Sequence, residues 1–157
     1  VNGKPLTLNS VQELIQNPKE GHKTQYKYCD DYVKNELGNQ STSSHWVLMT
    51  RDVIPDSRNK NYEDQKKLVA IHAQKSGQPY ELPKALDAVT CILMEHVQTG
   101  TKLYSDSPNT WTRCQEKVNK NQWPVVIGGF AAGGLGVNPS SDWDGGHSGV
   151  GGWRKFL

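Results

Sequence analysis

The spacing of apolar residues divides this chain into a helical first part and a strand-rich second part. In four segments apolar side chains recur three or four positions apart, as on the inner face of an amphipathic helix. The pattern predicts four helices, over residues 6–17, 24–37, 62–76 and 85–97. Because helices come early and strands late, we expect an α+β fold rather than alternating βαβ units.

Capping residues mark the ends of these helices. Asn9 or Ser10 is suited to cap the first helix, and Gly38, Gly77 and Gly100 follow the other three. The inner face predicted for the second helix consists of Tyr28, Tyr32, Val33 and Leu37. The inner face predicted for the third consists of Gln65, Leu68, Val69 and His72.

Short runs of β-branched, aromatic and other apolar residues predict strands in the remaining chain. They cover residues 45–53, 101–104, 110–114, 125–130, 135–137 and 149–156. Together with the helices they supply a predicted core of Trp46, Leu48, Leu68, Leu82, Leu86, Ile92, Leu103, Trp111, Val126 and Phe130.

Glycines are concentrated between Gly128 and Gly152, where they suit special turns or close backbone approaches. Within this stretch, residues 138–148 form a polar insert with one aromatic residue, Trp143. Such a segment is either an ordinary turn-rich connection or a recognition surface, since Trp anchors contacts while Asn, Ser and Asp adapt their hydrogen bonds.

Composition and net charge argue against several classes of function. The 157 residues, 34% of them hydrophobic, suffice for one domain with a core. A net charge of only +2 gives no electrostatic case for nucleic acid, and no apolar run reaches the roughly 20 residues of a membrane span. Cys29, Cys91 and Cys114 lack metal-type spacing and are expected to be buried free thiols. No nucleophile elbow, P-loop or metal motif is present.

Several motifs, in order, resemble formylglycine-generating-enzyme-like domains. They are Gly77-Gln-Pro-Tyr-Glu-Leu-Pro83, Thr110-Trp-Thr-Arg113, Val125-Val-Ile-Gly-Gly-Phe130 and Gly149-Val-Gly-Gly-Trp-Arg154. The resemblance spans about residues 45–157 and implies a C-type lectin fold. The paired catalytic cysteines of the enzyme have no counterpart, because no cysteine follows Cys114. We therefore expect no enzyme activity.

A second set of motifs resembles variable proteins of diversity-generating retroelements, which display a mutable C-terminal surface on this scaffold. The motifs are His45-Trp-Val-Leu-Met-Thr-Arg-Asp-Val-Ile-Pro-Asp-Ser-Arg58, Trp111-Thr-Arg-Cys-Gln115 and Arg154-Lys-Phe156. Such systems mutate adenines. Every residue of 138–148 except Trp143 can arise from an Asn codon changed at its first two positions.

We predict a single domain over residues 1–157, with an N-terminal helical part (1–40) that has no clear counterpart in the resemblance and a lectin-like core (45–157). The fold expected is a C-type lectin fold with N-terminal helices and a C-terminal cluster of short antiparallel strands, and the resemblance implies a variable surface at about 131–153. Its implied site is Asn138, Ser140, Ser141, Asp142, Trp143, Asp144, His147 and Ser148.

In this interpretation the chain binds a macromolecular ligand, a protein or a glycan on a cell surface, with no cofactor and no metal. Trp143 would be the apolar anchor, and the polar residues would set specificity. Display on a virion, on a cell surface or on a secreted product is implied, and an oligomer stays open.

Two alternatives stay open. The first is an enzyme derived from the formylglycine-generating scaffold, with Cys114 and His147 as the first residues to suspect. The second is a carbohydrate-binding lectin of fixed specificity that uses Ca²⁺, for which Asp142 and Asp144 are candidate ligands.

Overall fold

The computed structural model describes residues 3–140 and 148–156, and these form an α+β fold, as predicted. The elements in chain order are α1 (Leu8–Gln16), β1 (Tyr26–Cys29), α2 (Asp31–Glu36), β2 (Trp46–Met49), α3 (Tyr62–Ser76), α4 (Ala85–Thr99), β3 (Trp111–Val118), β4 (Trp123–Ala131), β5 (Gly134–Pro139) and β6 (Trp153–Phe156).

The strands form two sheets. The larger sheet has the order β1-β5-β4-β3; β1 runs parallel to β5, and the other neighbours are antiparallel. The smaller sheet pairs β2 with β6, so Trp46 lies opposite Phe156 and Met49 opposite Trp153. The strand that begins the predicted lectin-like core therefore pairs with the strand that ends it.

Helix α4 lies at the centre of the main core. Val89 and Ile92 on this helix are fully buried, as are Ile127, Phe130 and Leu135 on the larger sheet. Side chains of β4 and β5 pack against α4 in this core, so the helix holds in place the two strands that lead to residues 138–148. No helix among the described residues combines the length and apolar character needed to cross a bilayer.

Helices α3 and α4 lie where the sequence predicts them. Helix α3 spans Tyr62–Ser76; the Asn61 side chain accepts from the Asp64 N–H at its start, and Gly77 ends it in the left-handed conformation. Helix α4 has no side-chain cap of its own. Instead, the Glu116 carboxylate accepts a 2.8 Å hydrogen bond from the Ala85 N–H, so β3 supplies the cap.

The helix predicted over residues 24–37 is wrong. Tyr26–Cys29 is a strand paired with β5, and only Asp31–Glu36 is helical. The Asp30 side chain accepts from the Tyr32 N–H and so starts the helix late. Tyr28 and Tyr32, predicted to face inward, are 57% and 54% exposed, whereas Val33 is buried.

Two shorter predictions are also wrong. Residues 101–104 form no strand, because Tyr104 adopts a φ of 50° and turns its side chain into the core, where its hydroxyl donates to the Thr50 carbonyl. Helix α1 is capped by Thr7 rather than by Asn9 or Ser10, since the Thr7 hydroxyl accepts from the Ser10 N–H.

The core prediction is correct for Leu82, Ile92, Val126 and Phe130, which are buried. Leu68, Leu86, Leu103 and Trp111 are half-buried. Trp46 and Leu48 are predicted core residues that the structure places outside, at 80% and 42% exposure. Their strand presents Val47 and Met49 to the interior instead, and alternate residues of a strand point to opposite faces.

Candidate functional site

The structure places three of the eight predicted site residues: Asn138, Ser140 and Ser148. Ser141, Asp142, Trp143, Asp144 and His147 lie outside the described residues. Of the polar residues 138–148, we call only residues 141–147 the insert from here on. Residues 138–140 are its outgoing root and residues 148–152 its return root.

The outgoing root is the end of β5. Asn138 lies opposite Val126 on β4, and the Ser140 N–H donates a 2.9 Å hydrogen bond to the Pro124 carbonyl. All three residues of this root are half-buried. The Asn138 side-chain oxygen is enclosed and has no hydrogen-bond partner. The chain therefore enters the insert from a position fixed by backbone bonds to β4.

The return root adds to the outer edge of β3. The Gly149 N–H donates to the Trp111 carbonyl at 2.9 Å, and the Arg113 N–H donates to the Gly149 carbonyl at 3.0 Å. Gly149 thus pairs with Thr112 in parallel orientation. Both roots are therefore held by one sheet, on β4 and on β3.

Residues 150–152 are fixed by side chains as well as by backbone. The Val150 N–H donates to the Ser57 hydroxyl at 3.1 Å, and the Gly151 N–H donates to the Thr112 hydroxyl at 2.9 Å. The Gly152 N–H donates to the Thr50 hydroxyl at 2.9 Å. The three hydroxyl groups that accept these bonds belong to Thr50, Ser57 and Thr112, outside the insert.

A buried polar cluster links helix α3 to the return root. Gln65 is 0% exposed, and its side-chain amide donates to the Ser57 carbonyl at 2.7 Å and to the Ser148 carbonyl at 2.8 Å. Its side-chain oxygen accepts from the Arg113 guanidinium at 3.2 Å, and the same guanidinium group donates to the Lys60 carbonyl at 2.6 Å. Sequence analysis missed this cluster. A glutamine on the predicted inner face of α3 was its signal, since a buried amide needs partners.

Close packing restricts what the return root can carry. A Cβ at Gly149 would lie 2.8 Å from the Ser57 hydroxyl oxygen and 2.8 Å from the Val53 Cβ, and one at Gly151 would meet the Tyr104 hydroxyl. Leu135, Val137, Val150 and Trp153 are also buried. Among the described residues of the predicted surface 131–153, only two groups are exposed or half-buried. They are residues 131–133 at the β4–β5 turn and the root residues 138–140 and 148.

Trp111 lies across the face of the sheet between the two roots. Its indole N–H donates to the Asn109 side-chain oxygen at 2.8 Å, and a side chain at Gly129 or Gly136 would collide with its ring. The half-buried indole therefore packs directly on Gly129 and Gly136, where any larger residue would collide with it. This arrangement accounts for part of the glycine-rich stretch.

The thiols are poorly suited to nucleophilic chemistry. Burial raises the pKa of the Cys29 and Cys91 thiols to about 11, and it raises the pKa of the Cys114 thiol well above its ordinary value. Cys114 is 0% exposed. A thiolate is the reactive form of cysteine, so these environments disfavour the alternative in which Cys114 is a nucleophile. His147, its suggested partner, lies outside the described residues.

A second polar pair lies at the start of α4. The His45 Nε2 atom is 3.0 Å from an Asp87 carboxylate oxygen, and the His45 Nδ1 atom is 2.7 Å from the Ser43 carbonyl. Both His45 and Asp87 side chains are about nine-tenths buried (9% and 11% exposed). The pair attaches the segment before β2 to α4. In residues 3–140 and 148–156, no three His, Cys, Asp or Glu side chains come together as metal ligands would.

No protein-family model, no curated protein and no solved structure matches this chain.

Proposed function

We propose that this chain is a non-enzymatic ligand-binding protein with a C-type lectin fold that presents its polar insert to a macromolecular ligand. The insert would vary in sequence, as in the variable proteins of diversity-generating retroelements that the motifs resemble. Trp143 would anchor the ligand. Asn138, Ser140, Ser141, Asp142, Asp144, His147 and Ser148 would set specificity through hydrogen bonds and charge.

The topology supports the lectin fold in this proposal. Between β2 and β6, which pair with each other, lie two helices and the antiparallel strands β3, β4 and β5. The segment that the motif resemblance covers is therefore closed by the pairing of its first and last strands. The N-terminal part adds β1 to the edge of β5, outside this closed unit.

The attachment of the roots is the observation that carries the binding role. Ser140 is bonded to Pro124, and Ser148 and Gly149 are bonded to Gln65 and Trp111. Every one of these bonds joins backbone or side-chain groups outside the insert. A surface that must accept many sequences needs a scaffold with bonds of its own, and these bonds support that role.

Two libraries test tolerance of the insert directly. One randomises residues 141–147, and the matched control randomises the buried residues 149–152. We expect most members of the first to keep the melting temperature of the parent within a few degrees, and most members of the second to unfold. Panning the first library on immobilised lysozyme, as an arbitrary probe, should yield binders. If both libraries lose stability equally, the insert is structural and the proposal fails.

Natural variation tests the retroelement part of the proposal. The 3′ end of the gene and its downstream flank should be sequenced in many independent isolates. We expect substitutions at adenines in the codons of the insert and of Asn138, Ser140 and Ser148, matched by a nearby invariant template repeat. A uniform tail without a template copy would contradict diversification and leave a lectin-like domain of fixed specificity.

A further inference from the structure

The outer edges of the two sheets differ in how they are covered. On β1, the Gln12 side chain accepts from the Tyr26 N–H at 2.7 Å. Along β3, Gly149 and Pro83 pair with the outer backbone, and along β6 the Glu81 N–H and carbonyl both bond to Trp153. Within the described residues, the outer edge of β2 has no backbone partner.

This uncovered edge is short, at four residues, but it has no other feature of those that usually protect one. Natural edge strands carry lysine, proline or a bulge that prevents pairing with another chain. Strand β2 reads Trp-Val-Leu-Met, without charge, proline or glycine, and it pairs with β6 in unbroken register. Its backbone groups are therefore ready to extend the sheet.

The outward face of β2 is apolar. Trp46 is 80% exposed and Leu48 is 42% exposed. On the same face of the ribbon, Phe156 lies opposite Trp46 and Arg154 lies opposite Leu48, with the Arg154 guanidinium carbon 4.2 Å from the Phe156 ring centroid. An exposed apolar patch on an open strand edge marks a place where another chain binds.

We propose that two copies of this chain form a dimer by pairing their β2 strands antiparallel about a two-fold axis at Val47. In this register Trp46 lies opposite Leu48 of the partner subunit, on the same outward face, and Leu48 lies opposite the partner's Trp46. A slip of one residue would put these side chains on opposite faces. The strand is therefore complementary to itself, as a two-fold interface requires.

The contact between the two β2 strands is small, and we therefore expect the dimer to be weak. A fully buried Trp removes about 150–250 Å² from water, but edge-to-edge pairing covers Trp46 and Leu48 only on the side that faces the partner, so the contact removes less than about 600 Å² per copy. This lies at the low end of specific interfaces, which bury about 800 Å² per partner. We expect a weak dimer, with a Kd of about 10–100 µM.

Sedimentation equilibrium from about 5 µM to about 500 µM tests the proposal. The wild-type chain should show a concentration-dependent dimer, and Leu48→Lys should weaken it at least tenfold, because each lysine would place a charge in the apolar contact with the partner's Trp46. Ile71→Lys is the matched control: Ile71 is 47% exposed on α3, and its substitution should leave the Kd unchanged. A wild-type chain that stays monomeric throughout, or a Leu48→Lys variant that dimerises like wild type, would overturn the proposal.

Cysteine cross-linking tests the register. Residues directly opposite in an antiparallel pair have Cα atoms about 4.5–5.5 Å apart, within disulfide range. In a Cys29→Ser, Cys91→Ser background, Val47→Cys should cross-link to its copy on oxidation with copper–phenanthroline. Leu48→Cys is the control, because its copy would lie beyond about 7 Å. Cross-linking through Leu48→Cys but not Val47→Cys would overturn the two-fold axis at Val47.

Discussion

Gln65 and Ser148 lie 83 positions apart in the sequence, yet the Gln65 side-chain amide donates a 2.8 Å hydrogen bond to the Ser148 carbonyl. Helix α3 thereby holds the point at which the chain returns from the insert. The bond reaches backbone rather than a side chain, so it does not depend on which residue occupies position 148. A binding surface that changes its side chains needs attachments of this kind.

Gln65→Leu should destabilise the fold by about 2–4 kcal/mol, because it removes the donor to the buried Ser57 and Ser148 carbonyls and one acceptor of the Arg113 guanidinium. Urea denaturation measures the effect. Gln74→Leu, at an exposed position of the same helix, should change stability by less than about 0.5 kcal/mol. Equal effects of the two substitutions would show that the cluster contributes little.

Gly149→Ala should cost about 1–3 kcal/mol, since its new methyl group would press on the Ser57 hydroxyl and on Val53 at 2.8 Å. Gly133→Ala in the β4–β5 turn is the control, because its Cβ would be 3.7 Å from the nearest atom, in the Lys27 side chain. Thermal unfolding compares the two variants. A Gly149→Ala variant as stable as Gly133→Ala would mean that the return root can shift to admit side chains.

Alkylation by iodoacetamide should be slow in the folded protein at pH 7.5. Because burial raises the pKa of Cys29 and Cys91 to about 11, their rates should rise about tenfold per pH unit up to pH 10. Cys114 should react only after unfolding. Mass spectrometry of timed samples gives the rate for each site. Rapid modification of Cys114 near neutral pH would revive the enzyme alternative.

Glu116→Gln should raise the melting temperature at neutral pH. Burial raises the pKa of the Glu116 carboxyl above its ordinary value of 4.5, so the folded state holds this proton more tightly than the unfolded state. The resulting penalty on folding is absent below the ordinary pKa and grows as the pH rises through the folded-state pKa. A glutamine oxygen can still accept from the Ala85 N–H.

The gain in melting temperature from Glu116→Gln should therefore disappear below about pH 4, when both states are protonated. Glu20→Gln, at an exposed position, is the control and should show no such gain. Calorimetry across pH 3–8 follows the difference. A Glu116→Gln variant that is less stable at neutral pH would mean that the charge of the carboxylate at the start of α4 stabilises the helix more than burial opposes it.

Local signals explain which elements were predictable. Helix α3 has an apolar stripe, a capping Asn61 and a terminating Gly77, all readable from neighbouring residues. Strand β1 depends on pairing with β5 more than a hundred residues later, as where Tyr26 lies opposite Leu135. Such pairing leaves no local trace, and the spacing of Tyr28 and Tyr32 fits a helix equally well.

The surface and the site were harder to predict for a similar reason. Strand β2 is apolar at all four positions, so nothing in its pattern indicates which face is buried. The Gln65 cluster joins three separate parts of the chain, and only the three-dimensional structure brings them together. The strands next to the insert were predicted in part, over residues 135–137 and 149–156, and the structure has them at Gly134–Pro139 and Trp153–Phe156. The bonds that hold the return root to Thr50, Ser57 and Thr112 were not predicted.

Fixing both roots on one sheet has a consequence for insertions and deletions. The free energy of closing a chain segment between two fixed ends grows only with the logarithm of its length, by about 0.6 kcal/mol per doubling. Pro124 and Trp111 would anchor a longer insert by the same backbone bonds as the present one. An insert of different length could therefore be accommodated between the same two roots while the scaffold stays unchanged.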